Sequence, residues 1–450
     1  KPSAHGYSQS RGIPGLRKAQ ANYYGRRFGV DIDPETEVVV TMGSKEGLAS
    51  LATAITEPGD VVLAPNPSYP IHTFGFIIAG ATIRSVPTTP DETYFRSLDR
   101  AMAFTVPRPS ILVVNYPSNP TAETVDLAFY ERLVAWAKEN KVWILSDLAY
   151  SELYYDGNPT PSILQVPGAK DVAIEFTSLS KTYSMAGWRM GFAVGNAKLI
   201  AAMTRVKSYL DYGAFTPIQA AACAALNGPQ DIVEKNRLLY HKRRDVLVES
   251  FGRAGWDIPA ARASMFCWAP LPPALKEMGS LEFSKQLLTH AKVAVAPGVG
   301  YGEDGEGYVR IAMVEKAGAD FEIVEKTIDD AGHLLAGEVR PQAVVRAVAE
   351  DQHLAIVAGD VKRVGVAEDV RMAAQHFCRQ GMDDIAEVEA PFLASELAVV
   401  DDLEQQIAQL ARQFVERPPL DGIGDLVGFL ERMRDDGVPR LLDIPRAAVP

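Results

Sequence analysis

The chain of 450 residues has few cysteines and no long apolar run. Its three cysteines, Cys223, Cys267 and Cys378, are far apart and form no CxxC pair, which argues against a disulfide framework and for a reducing compartment. The seven histidines add no metal-ligand spacing. No segment approaches the ~20 apolar residues of a membrane helix, and the first residues lack the apolar stretch of a secretory signal. These absences predict a cytoplasmic protein without a membrane span or a metal site.

Aromatic residues and positive charge are scarce near the end of the chain. Residues 316–450 contain no Trp or Tyr, and their 14 Lys and Arg against 26 Asp and Glu account for the whole net charge of −12. An acidic surface repels phosphate backbones, so nucleic-acid binding is not expected. The break in composition predicts an extension at 337–450, separately helical or poorly ordered, with its boundary near Gly337–Pro341. Leu397–Phe414 has the apolar spacing of an amphipathic helix.

Short β-branched runs alternate with longer helical patterns through the first half of the chain, which is typical of a parallel sheet with helical crossovers. A helix is predicted at Leu127–Asn140, where apolar residues recur every three or four positions. The predicted strands are Glu37–Met42, Val61–Ala64, Thr82–Val86, Ile111–Asn115, Trp143–Asp147, Val172–Thr177, Met190–Val194 and, later, Tyr308–Met313.

The sequence therefore predicts an α/β fold in four parts. An arm at 1–24 precedes a large domain at 25–205, in which helices cover both faces of a mostly parallel sheet. An interdomain helix and a smaller α+β domain follow at 206–336, and the helical extension occupies 337–450. Phe321–Ala336 has near-helical apolar spacing and is predicted to close the smaller domain.

Ligands of open α/β sheets lie beyond the carboxyl ends of the strands, so the loops there are candidates for chemistry. Four of them are rich in polar residues: Gly43–Gly47, Asn115–Thr121, Asp147–Tyr150 and Ser178–Arg189. The first loop lacks the Lys-Ser/Thr ending of a P-loop, and the chain has no Gly-x-Ser-x-Gly elbow. Lys181, in the fourth loop, taken alone would be a solvated surface lysine.

The four loops together resemble those of class I and II aminotransferases, the fold-type I enzymes that use pyridoxal 5′-phosphate. The Ser-x-Ser-Lys…Gly-x-Arg run resembles the lysine signature of that family. Asn119 stands 28 residues before Asp147, and Asp147 stands 34 before Lys181, as in the family. The resemblance implies that Lys181 forms the Schiff base with the cofactor and moves the α-proton of the substrate.

The resemblance also implies how the remaining loop residues hold the cofactor. Asp147 would pair with the pyridinium nitrogen and keep the ring an electron sink. Asn119 and Tyr150 would donate hydrogen bonds to the phenolic oxygen, and Asn119 would also face the substrate. Ser178 and Arg189 would hold the phosphate.

Five further residues are candidates for the site. Ser44 and Lys45 open the helix after the first strand, so their backbone amides are expected to face the phosphate, although Ser44 is equally suited to be an ordinary N-cap. Tyr69 resembles the aromatic residue that stacks on the pyridine ring. Tyr7 resembles the tyrosine that reaches the phosphate of the neighbouring subunit, which implies a homodimer. Arg310 resembles the arginine that binds the α-carboxylate of the substrate; without the resemblance it would be an edge-strand surface residue.

Three segments, His5–Arg17, Asn115–Ala122 and Ser146–Leu153, look most like those of alanine (glutamate–pyruvate) and LL-diaminopimelate aminotransferases. The expected reaction moves an amino group between alanine or glutamate and pyruvate or 2-oxoglutarate. Alternatives are transfer from LL-diaminopimelate or another amino acid, a C–S lyase, a cofactor-dependent regulator, and a cofactor-binding protein with impaired catalysis. The family has a further glycine-bearing segment ahead of the position of Lys1 and ends soon after the Arg310 strand, which keeps impaired catalysis open. Regulators carry a basic module ahead of this domain, whereas the extra segment here follows it and is acidic.

Overall fold

A computed structural model of the chain describes residues 6–253, 255–291 and 293–314. The predicted helix Phe321–Ala336 and the extension at 337–450, with its boundary at Gly337–Pro341 and its helix at Leu397–Phe414, lie outside the described residues. The division into four parts therefore stays a prediction. None of the helices in the described ranges is long and apolar enough to cross a membrane, and the cytoplasmic location also stays a prediction.

Seven strands form the central sheet in the order β1-β7-β6-β5-β4-β2-β3. They are β1 Val38–Thr41, β2 Val61–Asn66, β3 Thr82–Pro87, β4 Ile111–Asn115, β5 Trp143–Asp147, β6 Ala173–Ser178 and β7 Gly191–Gly195. Strand β7 runs antiparallel to both of its neighbours, and the remaining pairs are parallel. The predicted mostly parallel sheet is confirmed; β4 and β5 have the predicted bounds, and the other predicted strands of this sheet differ by one or two residues.

Ten α-helices occur in the described ranges. They are α1 Pro14–Phe28, α2 Ser44–Ile55, α3 Ile71–Ile78, α4 Glu92–Phe104, α5 Leu127–Asn140, α6 Leu179–Thr182, α7 Ala197–Leu210, α8 Thr216–Asn227, α9 Asp231–Arg253 and α10 Ser280–Gln286. Helix α5 has the predicted bounds. Asp126 caps its start by accepting a hydrogen bond from the Phe129 amide, an interaction worth about 1 kcal/mol, and Lys141 ends it in the left-handed conformation.

Helices cover both faces of the central sheet, as predicted. Along β4 the side chains alternate between two apolar clusters, with Leu112 in one and Val113 in the other. The first cluster contains residues of α1, α4 and α5, and the second contains residues of α2, α3 and α7. The sheet is thus buried on both sides, which leaves the ends of its strands as the places where polar side chains reach a cavity.

A second, antiparallel sheet follows. Its strands are β8 Phe266–Pro270, β9 Ala296–Pro297 and β10 Tyr308–Ala312, in the order β8-β10-β9. This sheet packs with α9 and α10 in a third apolar cluster that includes Trp256. Strand β10 agrees with the predicted strand to one residue, whereas β8 and β9 were not predicted. Because β10 is the central strand, the description of Arg310 as an edge-strand residue is wrong.

Candidate active site

A cavity of about 540 Å³ lies where β4, β5 and β6 of the central sheet end, opposite β8 and β10 of the second sheet. Ten of the eleven predicted site residues line it: Ser44, Lys45, Tyr69, Asn119, Asp147, Tyr150, Ser178, Lys181, Arg189 and Arg310. Parallel strands place their carboxyl ends at one edge of a sheet, so residues more than a hundred positions apart meet there.

Asp147, the last residue of β5, is 4% exposed. Its Oδ2 lies 3.0 Å from Nε2 of the fully buried His72. Its Oδ1 is also buried and has no hydrogen-bond partner among the described residues. Leaving a buried carboxylate oxygen unsatisfied is costly. The cavity therefore suits a ligand that brings a hydrogen-bond donor to this oxygen.

His72 is a site residue that sequence reasoning missed. It lies in the first turn of α3, three positions after Tyr69, and the two rings are 5.9 Å apart in an edge-on arrangement. The ring holds one oxygen of Asp147, and the other oxygen has no partner among the described residues. No local sequence pattern marked it, because the contact joins residues 75 positions apart.

The loop after β4 is fixed to Asp147 through Asn115, another residue that was not singled out. Asn115 Nδ2 donates to the Asp147 carbonyl oxygen at 2.8 Å, and its Oδ1 accepts from the Asn119 amide at 2.7 Å. Asn119 Oδ1 then accepts from Arg310 Nη1 at 2.8 Å. These bonds connect the loop after β4 to the end of β5 and to β10 of the second sheet.

Lys181 lies in the four-residue helix α6, which Ser178 caps by accepting from the Ser180 amide at 3.1 Å. Burial, together with the positive charges of Arg310 and Arg189, lowers the pKa of the Lys181 amine below its ordinary value. No acidic side chain in the described ranges forms an ion pair with this amine. Lys181 therefore becomes a neutral nucleophile at a lower pH than a solvated lysine does.

The first turn of α2 and Arg189 form a site suited to an anion. Gly43, with φ of +85°, is the N-cap of α2, so the interpretation of Ser44 as N-cap is wrong. Arg189 Nη1 donates to the Ala186 carbonyl oxygen at 2.9 Å. A Cβ on Gly43 would lie only 2.5 Å from Arg189 Nη2, so glycine allows the guanidinium to pack against this turn. Free amides at a helix start and a guanidinium both favour a phosphate.

Arg310 projects from the second sheet. Its guanidinium carbon lies 4.8 Å from the ring centre of Phe266 and 5.0 Å from that of Tyr301. Its Nε is buried and has no partner in the described structure. The two rings and Asn119 fix the plane of the guanidinium, and the free donor remains available for a carboxylate.

Two tyrosines complete the walls of the cavity. Tyr150 is 7% exposed, and burial raises the pKa of its hydroxyl above the ordinary value although Arg310 opposes the shift. The hydroxyl is therefore a hydrogen-bond donor at neutral pH. Lys45 Nζ lies 5.1 Å from the ring centre of Tyr69, a cation–π distance.

Tyr7 is the predicted site residue that does not line this cavity. Its side chain is 88% exposed, and its ring lies 4.5 Å from that of Tyr212. An aromatic side chain this exposed is available to a second molecule.

The fold and the cavity define the class of the protein: a fold-type I transferase, with a mostly parallel sheet and a lysine, an aspartate and two arginines converging at its edge. The family model described as aminotransferase class I and II matches residues 1–322. The chain belongs to this family and is an aminotransferase.

Known relatives agree with this assignment. The chain is 61% identical over 314 residues to AatC of Rhizobium meliloti (strain 1021), covering 70% of this chain and 78% of that protein. It is 53% identical over 315 residues to the glutamate-pyruvate aminotransferase AlaC of Escherichia coli (strain K12), covering 70% and 76%. An LL-diaminopimelate aminotransferase of Desulforudis audaxviator is 44% identical over 312 residues, covering 69% and 79%.

Solved structures show the same fold. Substrate-bound BacF from Bacillus subtilis superposes with a TM-score of 0.68 at 34% identity, covering 76% of this chain and 84% of that one. An aromatic aminotransferase from Pyrococcus horikoshii gives a TM-score of 0.69 at 26% identity, covering 75% and 89%.

Proposed function

We propose that this cavity binds pyridoxal 5′-phosphate and that the chain uses it to move an amino group between an amino acid and a 2-oxo acid. Enzymes of the family depend on this cofactor. The observation that carries the proposal is that Asp147, whose buried Oδ1 has no partner among the described residues, lines the same cavity as the half-buried Lys181. A protonated ring nitrogen of the cofactor would donate a hydrogen bond to that oxygen, and the neutral amine of Lys181 would react with its aldehyde.

The remaining cavity residues fit the other groups of the cofactor. Ser178, Arg189 and the amides of Ser44 and Lys45 would hold the phosphate. Asn119 and Tyr150 would donate hydrogen bonds to the phenolic oxygen, and Tyr69 would lie against the ring. When bound, the cofactor supplies an electron sink for the bonds at the α-carbon of the substrate.

The side chains then have distinct tasks in the reaction. Arg310 binds the α-carboxylate and, with Asn119 holding its guanidinium, orients the α-carbon. Lys181 Nζ would take the proton from the α-carbon as a general base and then, as a general acid, deliver it to the C4′ carbon of the cofactor. Asp147, held by His72, would accept a hydrogen bond from the ring nitrogen. The Tyr150 hydroxyl, which is protonated at neutral pH, would donate a hydrogen bond to the phenolic oxygen and stay neutral.

We infer that the substrates are alanine and glutamate with pyruvate and 2-oxoglutarate. The identity of 53% to a glutamate-pyruvate aminotransferase supports this pair over LL-diaminopimelate, for which a relative is 44% identical. The exposed Tyr7 supports a homodimer in which it would reach the phosphate of the neighbouring subunit.

The test is to incubate the purified chain, loaded with pyridoxal phosphate, with a panel of amino acids, each with and without 2-oxoglutarate. L-Alanine with 2-oxoglutarate should give pyruvate and glutamate in equal amounts. Sustained pyruvate release from an amino acid without an acceptor would indicate a lyase instead. Faster turnover of LL-diaminopimelate than of alanine would overturn the proposed substrates, and binding without turnover would indicate impaired catalysis.

A further inference from the structure

Lys207 is a fully buried lysine on α7, outside the cavity. Its Nζ lies 3.0 Å from Glu46 Oε1 and 2.9 Å from Asp211 Oδ2. Removing these charges from water costs free energy that offsets much of their attraction, so a buried ion-pair network of this kind adds little net stability. Its effect is instead to fix the positions of the segments that carry the charges. The two carboxylates, Glu46 and Asp211, form hydrogen bonds with different parts of the molecule.

Glu46 connects Lys207 with the anion site. It is the third residue of α2, and its Oε2 accepts a hydrogen bond from the Met42 amide at 2.8 Å. The carbonyl oxygen of Met42 in turn accepts from Arg189 Nη2 at 3.4 Å. Glu46 therefore fixes the turn between β1 and α2 on which Gly43 and the phosphate-facing amides depend.

Asp211 connects Lys207 with the segment that carries Tyr7. Its Oδ1 accepts from the Gly213 amide at 2.6 Å, and its carbonyl oxygen accepts from Ser10 Oγ at 2.5 Å. Gly213, with φ of +78°, lies so close to the carbonyl of Gln9 that a Cβ would collide with it. The residues around Asp211 thus hold the backbone from which Tyr7 projects, and the ring of Tyr7 contacts that of Tyr212 in a tilted arrangement.

We propose that Lys207 is a positioning residue that couples the anion site of one subunit to the Tyr7 segment, and thereby couples cofactor binding to association with a second copy of this chain. The inference rests on the proposed function, in which Tyr7 reaches the phosphate of the neighbouring subunit. Without the ammonium, Glu46 and Asp211 would be two like charges facing each other in a largely buried space. Both the α2 turn and the Tyr7 segment would then shift.

The experiment compares Lys207→Met, which keeps the length but loses the charge, with the wild type and with Lys198→Met. Lys198 is exposed on the same helix and serves as the matched control. Two quantities are measured in the full chain: the dissociation constant of pyridoxal phosphate, from the visible absorbance of the loaded protein, and the subunit dissociation constant with and without cofactor, from sedimentation. Lys207→Met should weaken both by about tenfold or more, because the partner charges are left uncompensated, and Lys198→Met should change neither.

Two single-sided variants separate coupling from simple destabilisation. Glu46→Gln should weaken cofactor binding more than subunit association, and Asp211→Asn should do the reverse; they also serve if Lys207→Met does not fold. A lower melting temperature with both dissociation constants unchanged would show a merely structural role and overturn the inference alone. A wild-type chain that binds no cofactor would overturn the proposed function and this inference together.

Discussion

Two acidic side chains on neighbouring strands of the central sheet differ in how their oxygens are satisfied. Glu175 on β6 is fully buried, and its oxygens accept hydrogen bonds from Tyr24, Ser146, Ser162 and the Ile163 amide. Asp147 on β5 has one oxygen held by His72 and the other without a partner in the described structure. Both oxygens of Glu175 accept hydrogen bonds from the protein, whereas one oxygen of Asp147 can still accept a hydrogen bond from a ligand.

The fully buried Lys207 and the half-buried Lys181 show the same contrast. Lys207 pairs with Glu46 and Asp211, whereas Lys181 has no acidic partner in the described ranges and has a lowered pKa because of burial and two nearby arginines. Oδ1 of Asp147 and the amine of Lys181, at the ends of the strands, thus lack a hydrogen-bond or ion-pair partner within the described ranges. If this lack of a partner, and not burial alone, marks the reactive groups, substitutions at these residues should affect catalysis and substitutions at Glu175 should not.

The largest effect is expected from Lys181→Ala, which removes both the covalent attachment and the general base. Turnover should fall by about 10⁴-fold or more, measured as pyruvate formed from alanine and 2-oxoglutarate. Lys198→Ala on the exposed side of α7 is the control and should retain wild-type turnover. Activity within tenfold of wild type in Lys181→Ala would contradict the assignment.

Asp147→Asn keeps the shape of the side chain but loses the charge that holds a proton on the ring nitrogen. We expect the protein to retain bound cofactor and to lose about 10²- to 10³-fold in turnover, the size of a lost charge-assisted contact in the transition state. Glu175→Gln, on the neighbouring strand, should leave turnover unchanged. Equal losses in both variants would remove the distinction between the two carboxyls.

Arg310→Lys should have a smaller effect, because a lysine keeps the positive charge but not the paired donors. The KM for alanine should rise by about 10- to 100-fold, equivalent to roughly 1.4–2.8 kcal/mol of binding, and kcat should change less. Steady-state kinetics with alanine as the varied substrate measure both. An unchanged KM would exclude Arg310 from carboxylate binding.

The last effect concerns stability and leaves catalysis untouched. Burial raises the pKa of Glu175 from 4.5 to about 7, so between these values the folded state binds more protons than the unfolded state. The free energy of unfolding should therefore fall as pH rises through this window, by about 3 kcal/mol for this group. Urea unfolding at several pH values should show a shallower fall in Glu175→Gln, and an identical pH dependence would argue against the raised pKa.

Much of the fold is predictable from local patterns of apolar residues in the sequence. The bounds of β4, β5 and α5 were predictable because buried β-branched runs and an apolar helical face leave strong periodic signals. Ten site residues were predicted through the family resemblance; those in loops after strands of the central sheet meet because parallel strands end at one edge, whereas Arg310 comes from the second sheet. The two-residue β9 has no such signal, and β8, with Cys267, Trp268 and a terminal proline, has only a weak one.

The rest depends on contacts between distant segments. The sequence around His72 does not show that its ring reaches Asp147, 75 residues away. The stacking of Phe266 and Tyr301 on Arg310 likewise requires the second sheet to be assembled. At the start of α2, the left-handed conformation of Gly43 displaces Ser44 from the cap position, which residue preferences alone do not reveal.

The most direct test of the account is to find which lysine carries the cofactor. The chain is loaded with pyridoxal phosphate, reduced with borohydride and digested, and the pyridoxyl-labelled peptide is identified by mass spectrometry. Because Lys181 has a lowered pKa and lines the same cavity as Asp147, we expect a single label on Lys181. A label on Lys45, Lys207 or any other lysine would contradict it.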